Sequence, residues 1–334
     1  MCNPPTTADA AYIEADDDST SGYESAGADS STQSLASSLN KYLEENGRRY
    51  HAYYGADKNF NPTDNVEKDR LDLQHEVFRL LADEKLYKAP VENPQRVLDL
   101  GTGTGIWCID FADENPQAEV TGVDLSPIQP AWMPPNCKFE LDDLEQDWTY
   151  PMDAYDFIHS RNVLNSIADA PKYFRQALDC LAPGGYIEIA EIEGRMYSDD
   201  DSLPKDFPTV VATELGIKAA EMIGRPFRKA EQLTQLLDEA GFEDIVLLPL
   251  KLPSGPWAKD KALRQAGGLQ LLGLETLFHS YGLALFTRVL GMSEEEAQRI
   301  CDDARDAAMV RARKEKVHEY TFFNIIYARK PAEK

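Results

Sequence analysis

Short apolar strands alternate with helices from Arg96 to Ile192, and a glycine-rich turn closes the first strand; both point to an α/β fold on a doubly wound parallel sheet. The 334 residues are 43% hydrophobic and 10% aromatic, which supplies a substantial core for one large or two medium domains.

Residues 1–38 hold seven acids and no base, are rich in Ser, Asp, Ala and Thr, and show no apolar period; they are expected to form a disordered acidic tail. From Leu39 the character changes. Tyr42, Leu43, Tyr50, His51, Tyr53 and Tyr54 crowd into a stretch that reads as a helix seated on the domain or as a lid. Asp64 then caps a helix with Glu67 three residues on, and Val66, Leu73, Val77, Leu80 and Leu81 recur at helical spacing. Strands follow at Arg96–Leu100, Glu119–Asp124, Lys138–Leu141, Tyr155–His159 and Tyr186–Ile192. Helices are expected up to Asn115-Pro116 and over Ala170–Leu181, with a turn at Pro183-Gly184-Gly185. Beyond Glu193 a polar stretch leads to a helix at Lys229–Ala240 stopped by Gly241, a strand at Asp244–Leu250, a helical region from Pro253 to about Lys316 with Ser293 and Glu296 as a capping box, and a closing strand at Tyr320–Ala328.

The balance of 34 basic against 58 acidic side chains gives a net charge of −24. Nucleic-acid binding needs a Lys/Arg face to displace phosphate counterions, so that class is excluded, and an anionic membrane surface is disfavoured for the same reason. The start has no basic region followed by an apolar one, and no run of about 18 apolar residues occurs, so a cytoplasmic location is expected, with the nucleus as the alternative. Cys2, Cys108, Cys137, Cys180 and Cys301 form no C-x-x-C pair and read as reduced thiols, mostly in the core.

The strongest local signal is Val97-Leu98-Asp99-Leu100-Gly101-Thr102-Gly103-Thr104-Gly105-Ile106-Trp107. Three glycines let the backbone turn tightly and approach a ligand where a helix begins. The register is wrong for a dinucleotide fingerprint, since G-x-G-x-x-G begun at Gly101 would need a glycine at Ile106, and no P-loop lysine is present. What remains is acid-x-Gly-x-Gly-x-Gly, which resembles motif I of the S-adenosylmethionine (SAM) dependent methyltransferases. A cofactor carrying an ammonium and a sulfonium, with no phosphate, suits an acid such as Asp99 near the turn. Asp124, followed by Leu125, ends the second strand where a carboxylate can accept from both ribose hydroxyls. The third strand ends in Asp142-Asp143-Leu144; the family pattern gives Asp143 the adenine amino group and the Leu144 backbone the ring, with Asp142 the neighbouring alternative. Trp107 reads first as helix packing.

Asn46-Gly47-Arg48-Arg49-Tyr50-His51, Asp69-Arg70-Leu71-Asp72-Leu73-Gln74-His75, Asp124-Leu125-Ser126-Pro127-Ile128-Gln129-Pro130 and Tyr155-Asp156-Phe157-Ile158-His159-Ser160-Arg161 resemble the fungal LaeA-like methyltransferases, over about Asn46 to Pro331. The resemblance implies a Rossmann-like, seven-stranded class I sheet with an antiparallel last hairpin. It also implies an N-terminal helical lid (39–90) ahead of the methyltransferase domain (91–334), and a helical insertion before the last strand (about 253–316) that, with Met196–Ile223, forms the acceptor pocket. Tyr50 would close over SAM, and His159 and Arg161 would line the methyl-transfer cavity. His159 reads as a general base or as a structural histidine, and Arg161 as a carboxylate clamp or as a partner of nearby acids. The place after the fourth strand holds His159-Ser160-Arg161-Asn162 in place of the Asp/Asn-Pro-Pro-aromatic run of amide and nucleic-acid N-methylation, and it lacks clustered hard oxygens for Mg²⁺. Metal-independent O-methylation of a small carboxylic acid or phenol is the first expectation. A regulator working through a protein partner recruited by the acidic tail is the second.

Overall fold

The computed structural model describes residues 42–52, 55 and 59–332, so the expected tail and the pair Tyr53-Tyr54 lie outside the described residues. The first described segment corrects the helical expectation for the aromatic stretch. Strands β1 (Tyr42–Glu45) and β2 (Arg48–His51) pair antiparallel, with Tyr42 opposite His51. Asn46 and Gly47 both take positive φ, 52° and 70°, as a two-residue hairpin turn requires. Arg48 bonds the Asp64 carboxylate at 2.7 Å, and Asp64 caps helix α1 (Asn65–Leu81) by accepting from the Glu67 amide at 3.0 Å.

The sheet elements follow in chain order: β3 (Arg96–Leu100), α2 (Ile106–Glu114), β4 (Glu119–Asp124), β5 (Cys137–Leu141), β6 (Tyr155–Arg161), α3 (Ala170–Cys180) and β7 (Leu181–Ile192). After these come α4 (Pro208–Met222), α5 (Ala230–Ala240), β8 (Glu243–Pro253), α6 (Lys261–Ala284), α7 (Glu294–Asp306), α8 (Ala312–Glu315) and β9 (Tyr320–Arg329). The seven strands lie in the order β5-β4-β3-β6-β7-β9-β8. Strands β3 to β7 pair in parallel, whereas β9 runs antiparallel to both β7 and β8, as the resemblance implies. Because the order reverses at β3, the loops after β3, β4 and β6 open on one crevice at the carboxyl edge.

Three expectations shift. Pro183-Gly184-Gly185 lies inside β7, where the pairing with β6 changes register between Tyr155 and Phe157. The stretch read as polar after Glu193 contains α4, which has Pro208 in its first turn. The helical insertion starts at Lys261 behind an Asp260 cap because β8 extends to Pro253; Ser293 caps α7 as expected. Short π-helical segments at Leu285–Val289 and Ala307–Arg311 interrupt it. The central strands are apolar on both faces, with Leu98, Leu100, Phe157, Ile158, Ile187 and Ile189 fully buried. The four described cysteines are free and buried, and among the described residues no helix is long and apolar enough to cross a membrane.

Glu188 and Glu191 on β7 and Glu319 before β9 are buried as well, and burial pushes each carboxyl up to about 7. The Glu188 carboxylate accepts from the amides of Lys88 and Ala89, and that of Glu191 from the amides of Val163 and Leu164, without reversing the direction. From the ordinary value of 4.5 up to about 7 the folded state therefore holds more protons than the unfolded chain, so stability falls as pH rises through that window. Calorimetry is expected to find a higher melting temperature at pH 5.5 than at pH 8. A midpoint that climbs over this range would contradict the assignment.

Candidate active site

The turn after β3 is held in a conformation that only glycine adopts freely. Gly101, Gly103 and Gly105 have φ of 73°, 59° and 81°. A methyl on Gly101 would lie 2.2 Å from Val163 Cγ2 and one on Gly105 2.4 Å from the Phe139 ring, whereas at Gly103 the nearest atom would be Leu71 Cδ1 at 3.7 Å. Gly101 and Gly105 therefore face packed protein, and Gly103 faces the crevice. Three side chains pin the turn. Asp124 Oδ2 accepts from the Gly103 amide at 2.8 Å, Gln129 Nε2 donates to the Gly103 carbonyl at 2.7 Å, and Thr104 Oγ1 donates to Asp72 Oδ1 at 2.6 Å. Gln129 gives the Ser-Pro-Ile-Gln-Pro run its structural sense, and Asp72 does the same for the motif on α1.

The crevice holds the predicted acids together. Asp99, Asp124, Leu125, Asp142, Asp143 and Leu144 all line it, with Asn59–Thr63 along one side. Burial pushes the Asp124 carboxyl up to about 6 against the hydrogen bonds from Gly103 and Ser126, so it is ionised at neutral pH. Each of its oxygens accepts one amide and retains a lone pair for a hydroxyl donor. Asp143 accepts from the Glu145 amide and from Gln146, and Asp142 Oδ1 accepts from the Asp143 amide, so this corner is a rigid turn. The open Gly103 face and the acid-lined wall fit a compact cation such as SAM.

Asp99 lines the crevice and also bonds across to β6. Its Oδ1 lies 2.7 Å from His159 Nδ1, and its Oδ2 accepts from Cys108 Sγ at 3.3 Å. Parallel pairing sets Asp99 directly opposite His159, and both are almost fully buried. Burial would raise the Asp99 carboxyl, but the His159 contact outweighs it and the net direction is down; burial takes the His159 imidazole below its ordinary value. The pair is thus a carboxylate and a neutral imidazole with its proton on Nδ1, leaving Nε2 as the acceptor. Trp107 stacks on the imidazole with centroids 3.8 Å apart and planes 4° from parallel, and donates Nε1–H to the Leu86 carbonyl at 2.8 Å. Its packing role places it against His159.

Arg161 lines the same crevice. It donates to His75 Nδ1 at 3.1 Å, His75 Nε2 lies 3.0 Å from Asp110 Oδ2, and the guanidinium sits over the Phe78 ring at 5.1 Å. Burial lowers its pKa to about 10, and among the described residues it forms no ion pair. Arg225 also reaches the crevice but pairs with Glu145 at 2.7 Å, and Arg228 donates to the Leu164 and Ile167 carbonyls. The His75–Asp110 support of Arg161 was not legible from spacing, although His75 ends one of the motifs quoted above.

Tyr50 lies apart from the crevice. It is not among the crevice-lining residues; it is 1% exposed beneath the Arg288 guanidinium, which lies 4.6 Å from the ring centroid, and its hydroxyl is buried without a partner. As a β2 residue of the hairpin that stands where a helix was expected, it packs against Arg288 of the Leu285–Val289 segment. Phe60 and Pro62, further along, line the crevice in its place.

A family model described as a methyltransferase domain matches residues 73–247. Methyltransferase pytC of Aspergillus terreus is 39% identical over 305 residues, 91% of this chain and 92% of that protein. The secondary metabolism regulator laeA of Aspergillus fumigatus is 36% identical over 86% of this chain and 76% of its own length, and the protein-methionine methyltransferase laeA of Emericella nidulans is 34% identical over 88% and 78%. Among solved structures, the phosphoethanolamine N-methyltransferase 2 of Haemonchus contortus in complex with S-adenosylhomocysteine matches with a TM-score of 0.50 at 18% identity, covering 90% of this chain and 73% of that one, a likeness of fold. Sheet order, glycine turn and strand-end acids agree with these matches: the chain belongs to the SAM-dependent methyltransferases.

Proposed function

We propose that this protein methylates an oxygen of a small metabolite, in fungal secondary metabolism, with His159 as the base. The buried Asp99–His159 pair beside the acid-lined crevice carries this reading. Bound in the crevice, SAM supplies a methyl already activated by its sulfonium. Asp124 takes the ribose hydroxyls, and Asp142, Asp143 and Leu144 form the adenine end. His159 Nε2 would receive the acceptor hydroxyl's proton as the methyl passes from sulfur to oxygen, the C–S bond breaking as the O–C bond forms and S-adenosylhomocysteine leaving, and Asp99 would fix the tautomer and stabilise the imidazolium. A carboxylate acceptor would need no base, only a cation such as Arg161. The test is turnover of labelled SAM with a panel of phenols and carboxylic acids, the products identified by mass spectrometry. His159→Ala is expected to lower phenol methylation by about 10²-fold or more. Retention of phenol turnover would remove the base assignment.

A second reading has one observation in its favour: two of the relatives named above are a secondary metabolism regulator and a protein-methionine methyltransferase. On it the chain works through a protein partner, in the nucleus, recruited by residues 1–38. Deleting that segment discriminates, because small-molecule turnover would survive the deletion and partner recruitment would not.

A further inference from the structure

Behind the cofactor crevice lies a second cavity of about 110 Å³. The two share Gln74, Asn162, Asn165, Phe227, Tyr281 and Leu285 as lining residues, so they lie side by side. Helices α4 and α6 wall it with Ala212, Ile217, Leu274, Leu277 and Phe278, and Phe286 of the π-helical segment and Met196 close it. No Lys, Arg or His lines it among the described residues; Glu191 is its one carboxyl group. Two oxygens are without a partner there. Thr321 is 3% exposed with its Oγ1 buried and unbonded, and Asn165 Oδ1, at the junction of the two cavities, is likewise unbonded.

Resting on the O-methylation reading above, we infer that this chamber takes a neutral, largely hydrocarbon ring system bearing hydroxyl groups, and that it rejects free carboxylic acids. An apolar cavity of ~150 Å³ accepts a benzene ring, so a chamber of about 110 Å³ holds less than one full ring, and a ring system entering it must extend past the lining residues it shares with the crevice. A carboxylate inside would be stripped of water with no cation to meet it and with Glu191 facing it. A ligand hydroxyl beside Thr321 would answer its unbonded oxygen once the side chain turns toward the chamber. Arg161 lies outside this chamber, on the cofactor side, and offers an acid acceptor nothing at the inner end.

The probes are 2,6-dihydroxynaphthalene, 2-naphthol and 6-hydroxy-2-naphthoate, titrated calorimetrically into the full chain saturated with S-adenosylhomocysteine. The dihydroxy compound is expected to bind about tenfold more tightly than 2-naphthol, the value of one buried hydrogen bond, and the naphthoate at least about tenfold more weakly. Gly216 lines the chamber, and a Cβ there meets no atom within 4 Å, so Gly216→Leu fills the space with no clash at Cβ. It is expected to abolish binding of both naphthols with S-adenosylhomocysteine affinity unchanged, which also reports that the variant folds. Thr321→Val removes the unbonded hydroxyl, and it is expected to raise the melting temperature while making the two naphthols bind alike. Equal or tighter binding of the naphthoate, absence of naphthol binding to the cofactor-saturated protein, or naphthol affinity unmoved by Gly216→Leu would overturn the inference. Failure of the wild-type chain to bind S-adenosylhomocysteine would instead strike at the methyltransferase site itself.

Discussion

Replacing Asp124 by Ala weakens SAM binding by at least about a hundredfold. Two hydrogen bonds from ribose hydroxyls to a charged acceptor are worth about 3 kcal/mol or more together, and the variant also frees the Gly103 amide that the carboxylate holds. The effect has a pH signature. With its pKa raised to about 6 in the free protein, Asp124 is ionised and binding is flat above pH 7; below 6 a proton must leave before the carboxylate can accept both hydroxyls, and affinity falls up to tenfold per pH unit. Asp124→Asn keeps the shape and loses that limb. Calorimetric titration of SAM from pH 5 to pH 8 measures both effects, and an Asp124→Ala affinity within a few-fold of wild type would refute the ribose assignment.

The second large effect falls on turnover. Asp99→Asn no longer enforces the proton on His159 Nδ1, and kcat is expected to drop by about 10²- to 10⁴-fold while SAM affinity changes little. Wild-type kcat should be level from pH 7 upward and fall in acid, because burial takes the His159 imidazole below its ordinary value. Single-turnover rates with an accepted phenol are the measurement. The opposite pattern, lost SAM affinity with kcat retained, would return Asp99 to the cofactor contact that its motif suggested.

The sheet was legible because each of its strands is a short apolar run bounded by a turn signal, and the glycine turn because three glycines two residues apart suit few other purposes. The acids at the strand ends could be placed for the same reason, since strand ends in a parallel sheet share one edge. The Asp99–His159 pair could not be read, as its partners are 60 residues apart and meet only through the register of β3 and β6. Asn46-Gly47 is a hairpin signal outweighed by the aromatic residues around it, which is why the stretch read as a helix or a lid. Helix α4 was hidden because its exposed face and the polar residues before it dilute the apolar period.

The chain leaves the sheet at the end of β8 and re-enters it at β9, and these two strands are neighbours paired along their length. Everything between, α6 to α8 with their π-helical breaks, is a loop whose two ends are clamped side by side, and with α4 it walls the second cavity, while the glycine turn and the strand-end acids come from elsewhere in the chain. Loop-closure entropy grows only slowly with length, so the cost of altering that excursion lies in the packing of buried residues such as Leu274, Phe278 and Phe286, not in its length. The architecture therefore sets much of the second cavity's wall on one bracketed segment, apart from the glycine turn and the strand-end acids, and grafting the β8–β9 excursion between relatives would measure what that segment contributes to selectivity.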